Sequence, residues 1–440
     1  MLKIQFILDE IKDQYLCDEK PWIIGFSGGK DSSSLLQLVW YALRQIPTEK
    51  RTKEVHVVCN DTLVENPKIV EWIDKSLENI EKQAQKEGLP IIVSKTTPIL
   101  EDTFWVNLIG KGYPSPNSTF RWCTERLKIK PTSRYIQKQI EQNGEVIILL
   151  GTRTDESANR KKSMDKFQID NQRLKRHVDL HLAYVYTPLK TITTNEIWQY
   201  LMQVPSPWNG TNRDLITLYK NGTGGDCPLV IDTTTPSCGQ SRFGCWVCTV
   251  VKKDRSMEAL IDNGEEWMLP MLELRDWLVE NRDIDEYRMD RRRNGLPGRG
   301  PYTIEARAYI LKLLLAAQKT TELQLLTNQE LKAIQVIWNM DGFSKSVYEV
   351  YNEIYNEIYD LKLDLDMSRR DKIKYKQEIL LKEIAENHGA EFDKIQTLLK
   401  VVSDKNLLNK RVNVQKTINE LFDSSNFESE PVALAESPTV

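Results

Sequence analysis

Hydrophobic residues along the chain alternate between two spacings. Short apolar runs at 23–26, 54–59, 90–94, 146–150 and 184–189, rich in Ile and Val, read as buried strands. Between them, 1–16, 31–46, 67–86 and 195–201 carry apolar residues at helical spacing, and Pro67 suits a first helical turn. That alternation predicts an α/β fold, a doubly wound and mostly parallel sheet over residues 1–205. From about Met257 the spacing is helical, at 303–318, 327–340 and 347–363. A cysteine-rich segment at 206–255 thus leads into a helical C-terminal domain at 256–422. The stripe Tyr348, Tyr351, Ile354, Tyr355, Ile358 and Tyr359 predicts core or a protein interface. Residues 423–440, rich in Ser, Glu and Pro, are expected to be disordered.

The first strand runs into Ser27-Gly28-Gly29-Lys30-Asp31-Ser32-Ser33, where the apolar run stops and a helix begins. Glycines without Cβ atoms let backbone N–H groups turn toward an anion. Asp31, Ser32 and Ser33 stand where a helix cap is expected, and the positive end of the helix dipole favours phosphate. The turn suits a pyrophosphate. It is not a Walker A loop, because Asp31 follows Lys30 where Ser or Thr is required and Ile24 replaces the leading Gly.

Parallel α/β sheets bind ligands beyond the carboxyl ends of their strands. Asp61 and Thr62, after the second strand, are therefore nucleotide candidates. Gly151-Thr152-Arg153 follows the fourth strand, and Arg153 or Arg160 is placed to meet a triphosphate or oxyanion. Lys161 and Lys162 read as solvated loop charges, His56 and Cys59 as core, His177 and His181 as structural, and Cys17 as an incidental thiol.

Lysine and arginine total 60 against 63 acidic residues, a net charge of -3 over 440 residues. Charge alone demands no nucleic acid, so any such contact needs a local patch. No apolar span nears the roughly 20 residues of a membrane crossing. Asp9, Glu10 and Lys12 follow the first residues too soon for a signal peptide, so a cytoplasmic protein with no membrane partner is expected. In such a chain seven cysteines point to metal or sulfur chemistry rather than disulfides.

Cys123 lies among Arg121, Arg126 and Lys128, whose charge favours the thiolate, the form that attacks sulfane sulfur or carries a persulfide. The other reading is a helix-start cysteine packed on the sheet while the basic residues serve phosphate. Cys227, Cys238, Cys245 and Cys248 supply four thiols in a loop rich in Gly and Pro. Four thiolates close a zinc site or hold an iron–sulfur cluster, and the bulky neighbours Phe243, Trp246 and Val247 favour the cluster. In the loop 291–302, glycines with Arg291, Arg292 and Arg293 suit a phosphodiester backbone, and Tyr302 suits a stacked base. Asp283, Asp285, Glu286 and Asp290 offer those arginines intramolecular partners instead.

Ser27-Gly28-Gly29-Lys30-Asp31-Ser32 resembles the signature of the PP-loop ATP pyrophosphatases. Gly151-Thr152-Arg153 with Glu156-Ser157 resembles a motif of the phosphoadenosine phosphosulfate (PAPS) reductase-like group. With Asn60-Asp61-Thr62, Trp122-Cys123-Thr124 and Arg242-Phe243-Gly244-Cys245-Trp246-Val247-Cys248, these stretches resemble DndC, the PAPS reductase-like sulfurtransferase family of bacterial DNA phosphorothioation, over roughly residues 15–300. The C-terminal E-C-G-L/I-H segment of PAPS reductase itself is not found, which disfavours sulfate assimilation.

The resemblance implies an ATP pyrophosphatase carrying a 4Fe-4S cluster, with a cysteine desulfurase as sulfur donor and DNA and other Dnd proteins as partners. On that reading Ser27, Gly28, Gly29, Asp31 and Ser32 hold the pyrophosphate part of ATP with Mg2+, next to Gly151. Asp61 and Thr62 approach the nucleoside, Lys30 and Arg153 stabilise the departing pyrophosphate, and sulfur is carried on Cys123 or delivered through the cluster. Two alternatives stay open: an iron–sulfur tRNA thiolase, which uses the same ATP chemistry, and a cluster-bearing DNA-binding or sensor subunit that binds nucleotide without turnover.

Overall fold

The computed structural model describes residues 4–154, 173–210, 212–215, 244–343, 345–355 and 381. Among them six strands form one sheet: β1 (Trp22–Gly25), β2 (Val55–Asn60), β3 (Ile91–Thr96), β4 (Val146–Leu149), β5 (Leu174–Arg176) and β6 (Ala183–Tyr186). Their order is β3-β2-β1-β4-β6-β5, parallel throughout except for β5 against β6. The fold is the α/β sheet expected. Only β5 was not legible, because three residues on a half-exposed edge make too short a run.

Side chains alternate between the two faces of the sheet. Trp22, Ile24, Val55, Val57, Ile147 and Leu149 share a core with α1 (Ile4–Leu16), α2 (Lys30–Arg44), α3 (Pro67–Glu87) and α5 (Thr194–Gln203). Ile23, Val58, Val146 and Ile148 pack with Ile136 of α4 (Lys130–Asn143). Both faces are covered, which is why β1 and β4 are apolar at every position. Each such side chain fully buried contributes about 1.5–3 kcal/mol. His56 and Cys59 belong to this core, His56 Nδ1 lying 2.9 Å from the Tyr135 hydroxyl. Burial pushes the His56 imidazole down and the Cys59 thiol up in pKa.

The chain leaves β1 for β2 and β3 on one side and returns for β4 on the other. The crevice at the carboxyl ends of two strands so related is where open α/β sheets bind ligands. Asn66 caps α3 by accepting from Lys68 N at 3.0 Å, and a reciprocal Thr193–Glu196 capping box opens α5.

Beyond the sheet, Arg255–Asp262, Leu269–Glu280, Ile304–Thr321, Asn328–Met340 and Val347–Tyr355 are helical. No described helix is long and apolar enough to cross a membrane. The chain divides into two compact units, one of Met1–Ile109, Pro114–Arg282 and Leu313–Leu331, the other of Gly110–Tyr113, Asp283–Lys312 and Lys332–Val440.

In the second unit Arg307 is buried, donating to Tyr302 O and Gly110 O at 2.9 Å each and pairing with Asp341 at 3.3 Å. Tyr302 is fully buried with the Arg288 guanidinium 5.5 Å from its ring, so it does not stack on a base as its loop had suggested. Arg299 pairs with Asp285 at 2.6 Å, and Arg293 donates to Lys111 O beside the Tyr113 ring. These are intramolecular partners of the kind the acidic neighbours had offered. On the tyrosine stripe Tyr351 and Tyr355 stack at 4.4 Å, while Ile358, Tyr359 and residues 382–440 lie outside the described residues.

Candidate active site

β1 delivers the chain to the glycine turn. Gly28 stands at φ +72°, and a Cβ there would meet Ile73 Cγ1 at 3.0 Å, so conformation and space both select glycine. Its carbonyl accepts from Trp72 Nε1 of α3 at 3.3 Å. α2 starts after Gly29 with no side chain capping it. Asp31, Ser32 and Ser33 lie inside the first turn, not at the cap position expected of them. Ser32 Oγ folds back instead, 3.1 Å from Ser27 Oγ and from Gly29 O, and accepts from Ser27 N at 3.3 Å. A helix start without a side-chain cap, behind a glycine turn, suits an anion.

The end of β4 closes on this turn. A Cβ on Gly151 would lie 2.8 Å from the Asp31 carbonyl oxygen, so only glycine permits the approach. Arg153 is 1% exposed; its Nε donates to Asp31 Oδ1 at 2.6 Å and its Nη1 to Thr194 Oγ1 at 3.1 Å. Asp31 Oδ2 takes Lys30 Nζ at 2.8 Å. The two cations expected to stabilise pyrophosphate thus meet on one carboxylate. In this arrangement buried Arg153 positions the turn through Asp31.

At the end of β2, Asp61 accepts from Leu63 N at 2.9 Å and pairs with Lys95 at 3.2 Å. Leu63 stands at φ 64°, a left-handed conformation that costs a non-glycine residue about 1–2 kcal/mol. Beyond that bend the chain pairs with a distant segment: Trp246 N donates to Val64 O at 3.0 Å, Glu65 bridges Cys245, and Asn66 N donates to Gly244 O at 3.4 Å. The pairing sets Thr62 Oγ1 3.3 Å from Cys245 Sγ. Thr62, fully buried, faces a sulfur where the sequence suggested a nucleoside. Burial pushes the neighbouring Glu65 carboxyl up to about 7, opposed by the charge of Lys128.

Cys123, Cys245 and Cys248 all line one cavity of about 740 Å³, with Phe104, Leu127 and Val247 among its apolar walls. Of the cations expected around Cys123, Lys128 is buried and lines the cavity, whereas Arg126 pairs with Asp102 at 2.7 Å. The loop that carries Cys248 is clamped by Arg275, fully buried in the helix Leu269–Glu280. Arg275 donates to Cys248 O at 3.0 Å, to Lys252 O at 2.8 Å and to Val251 O. Arg282 adds bonds to Thr249 O at 3.2 Å and Pro116 O at 3.0 Å. The sequence reading passed over Arg275, which stands between Leu274 and Asp276 and carries no signal that sets it apart from a surface charge.

A sequence profile of the phosphoadenosine phosphosulfate reductase domain matches residues 21–251, from β1 through the Cys245–Cys248 pair. The chain belongs to the PAPS reductase domain family. It is 27% identical over 242 residues to an uncharacterized protein of Methanocaldococcus jannaschii, a match covering 55% of this chain. The match spans only 39% of that relative's length. PAPS reductase from Candida auris shares 14% identity over 46% of this chain and 87% of its own, with a TM-score of 0.27. The U34-tRNA thiolase NcsA from Methanococcus maripaludis, solved with its 4Fe-4S cluster, shares 14% identity over 63% and 79%, with a TM-score of 0.29. At those scores neither carries an argument about this chain.

Of the four thiols expected from the sequence, Cys227 and Cys238 lie outside the described residues, as do Glu156, Ser157, Arg160, Lys161 and Lys162. Among the described residues no group of three or more His, Cys, Asp and Glu side chains is set to hold a metal ion. Cys245 and Cys248 nevertheless have the donor chemistry for a soft metal or cluster: two thiols, three residues apart, on an apolar-walled cavity. His177 is structural, its Nδ1 accepting from Asp179 N and Leu180 N at 3.1 Å each.

Proposed function

We propose that this PAPS reductase-family protein is an ATP pyrophosphatase and sulfurtransferase that activates a DNA backbone phosphate for replacement of a non-bridging oxygen by sulfur. A cysteine desulfurase would supply the sulfur and other Dnd proteins would assemble with it. One observation supports the reading above others: the contact between Thr62 and Cys245 ties the cysteine cavity to the end of β2, the strand beside β1 and its glycine turn. Neighbouring strands lie about 4.8 Å apart, so nucleotide and sulfur chemistry share one edge of the sheet.

ATP, arriving with Mg2+, rests its pyrophosphate on the turn Ser27–Ser32. A DNA phosphate oxygen attacks the α-phosphorus in line, and the bond to pyrophosphate breaks. Backbone amides of the turn and Lys30 stabilise the departing charge, with Arg153 fixing Asp31 and Asp31 in turn fixing Lys30. Sulfur at the oxidation level of sulfide then attacks the activated DNA phosphorus, a P–S bond forms, and AMP leaves with the displaced oxygen. Cys123, which lines the cavity with Lys128, would carry the desulfurase's sulfur as a persulfide, and an added thiol reductant would cleave its S–S bond, releasing sulfide and restoring the Cys123 thiol. A 4Fe-4S cluster held by Cys245 and Cys248 with Cys227 and Cys238 would supply a redox-active centre with affinity for sulfur.

The test is to incubate the protein with labelled ATP, DNA, a desulfurase, cysteine and a thiol reductant, and to follow AMP, pyrophosphate and DNA-bound sulfur together. DNA-dependent release of both products with phosphorothioate formation supports the reading. Sulfur entering tRNA instead assigns the protein to the thiolases, and binding of ATP without cleavage leaves a nucleotide-binding subunit.

A further inference from the structure

The cysteine cavity carries more charge than the transfer of sulfur uses. Lys128, Lys252, Lys253 and Arg255 all line it, against one acid, Asp254. Asp254 is committed elsewhere: its Oδ1 accepts from Ser256 N and Met257 N, at 3.1 Å each, and caps the helix Arg255–Asp262. Lys252, Lys253 and Arg255 are exposed, and none has an ion-pair partner among the described residues. This is a local excess in a chain whose net charge is -3.

The cations are also held in place. Arg275 fixes the carbonyls of Cys248 and Lys252, and Thr249 Oγ1 donates to Pro116 O at 2.6 Å, so the backbone beneath them is bonded along its length. Behind them lies the cavity of about 740 Å³, within the ~300–1,000 Å³ range of small-molecule sites and large enough for one nucleotide unit. Three cations on a bonded loop at the mouth of the cavity match a strand that carries a phosphate at every repeat.

We propose that Lys252, Lys253 and Arg255 form a phosphate-binding rail that seats a nucleic acid strand at the mouth of the cysteine cavity. The proposal rests on the sulfur-transfer reading and names the surface by which its substrate arrives. The arginine loop at 291–302 is a weaker candidate for that task, because Arg288, Arg293 and Arg299 bond within their own unit.

The test uses the full chain and its K252A/K253A/R255A variant, with anisotropy titrations of a short DNA duplex, the corresponding single strand and unmodified tRNA over about 50 to 200 mM salt. The variant should melt like wild type, bind at least one probe about tenfold more weakly, and lose about 2–3 from the slope of log K against log salt, as three fewer phosphate contacts require. K252R/K253R/R255K, which keeps the charge, should bind like wild type. Unchanged affinity and slope in the alanine variant, with wild type binding and DNA still modified, overturn the rail and leave the sulfur-transfer reading standing. A loss confined to binding of the desulfurase assigns the patch to a protein and also overturns it. Wild type that binds none of the three probes overturns both.

Discussion

Thr62 and Cys245, 183 residues apart in sequence, meet with Oγ1 3.3 Å from Sγ. The contact exists because Leu63 bends left-handed and lets residues 64–66 pair with 244–246. It places a hydroxyl on a candidate cluster or sulfur-handling thiol. Thr62→Val keeps the shape and removes the hydroxyl, forfeiting a hydrogen bond worth about 1 kcal/mol. Sulfur transfer should fall about fivefold, and pyrophosphate release should change by less than about twofold. A raised KM for ATP would return Thr62 to the nucleotide.

Gly151→Ala drives a Cβ to 2.8 Å from the Asp31 carbonyl, against backbone that has no flexible end to move. The overpacking should cost about 1–3 kcal/mol in urea denaturation. Because Asp31 lies in the first turn of α2, pyrophosphate release should drop by more than stability alone explains, measured well below the unfolding transition.

Arg153→Met leaves Asp31 buried without its arginine partner and should destabilise the protein by about 3–5 kcal/mol. The double variant Arg153→Met with Asp31→Asn should recover part of that loss while still failing to release pyrophosphate. Additive losses in the double-mutant cycle would show that the two residues are not coupled.

These residues also show what the sequence could and could not carry. Strands β1, β2 and β4 were legible because their apolar runs report burial on both faces, and β3 and β6 because short apolar runs stand between helical stretches. The turn was legible because Gly28 needs a positive φ and Gly151 a close approach. Pairing of 64–66 with 244–246 was not, since it hangs on a left-handed leucine that no composition signals. Arg153 and Arg275 look alike in sequence to any anion-binding arginine. Only the folded chain shows one bound to Asp31 and the other to carbonyls of the Cys248 loop. Tyr302 looked available from its glycine-rich neighbours, yet its backbone N–H is bonded to Gly112 O at 2.7 Å and its ring is buried.

Glu87 gives the fold a pH signature apart from the site. Arg44 grips both its oxygens, at 2.6 and 2.7 Å, and Gln83 and Trp40 add bonds. Those bonds, Arg44's first, hold its carboxyl down at about 2 against an ordinary 4.5. A depressed folded-state pKa stabilises above the unfolded value, so this contribution is present above about pH 4.5 and is lost as pH falls toward 2. Discounted for solvent screening it is about 1 kcal/mol. Glu87→Gln should lower the Tm at neutral pH, and the gap from wild type should close as the pH approaches 2.

The central claim is that ATP cleavage at the glycine turn drives sulfur from the cysteine cavity into DNA. The most direct measurement is mass spectrometry of nuclease-digested DNA from cells carrying the wild-type protein or Cys123→Ser with its partner proteins. Phosphorothioate-linked dinucleotides in wild type and their absence in the variant are the expected result. DNA free of sulfur in wild type, with a thiolated nucleoside in its tRNA, would contradict it.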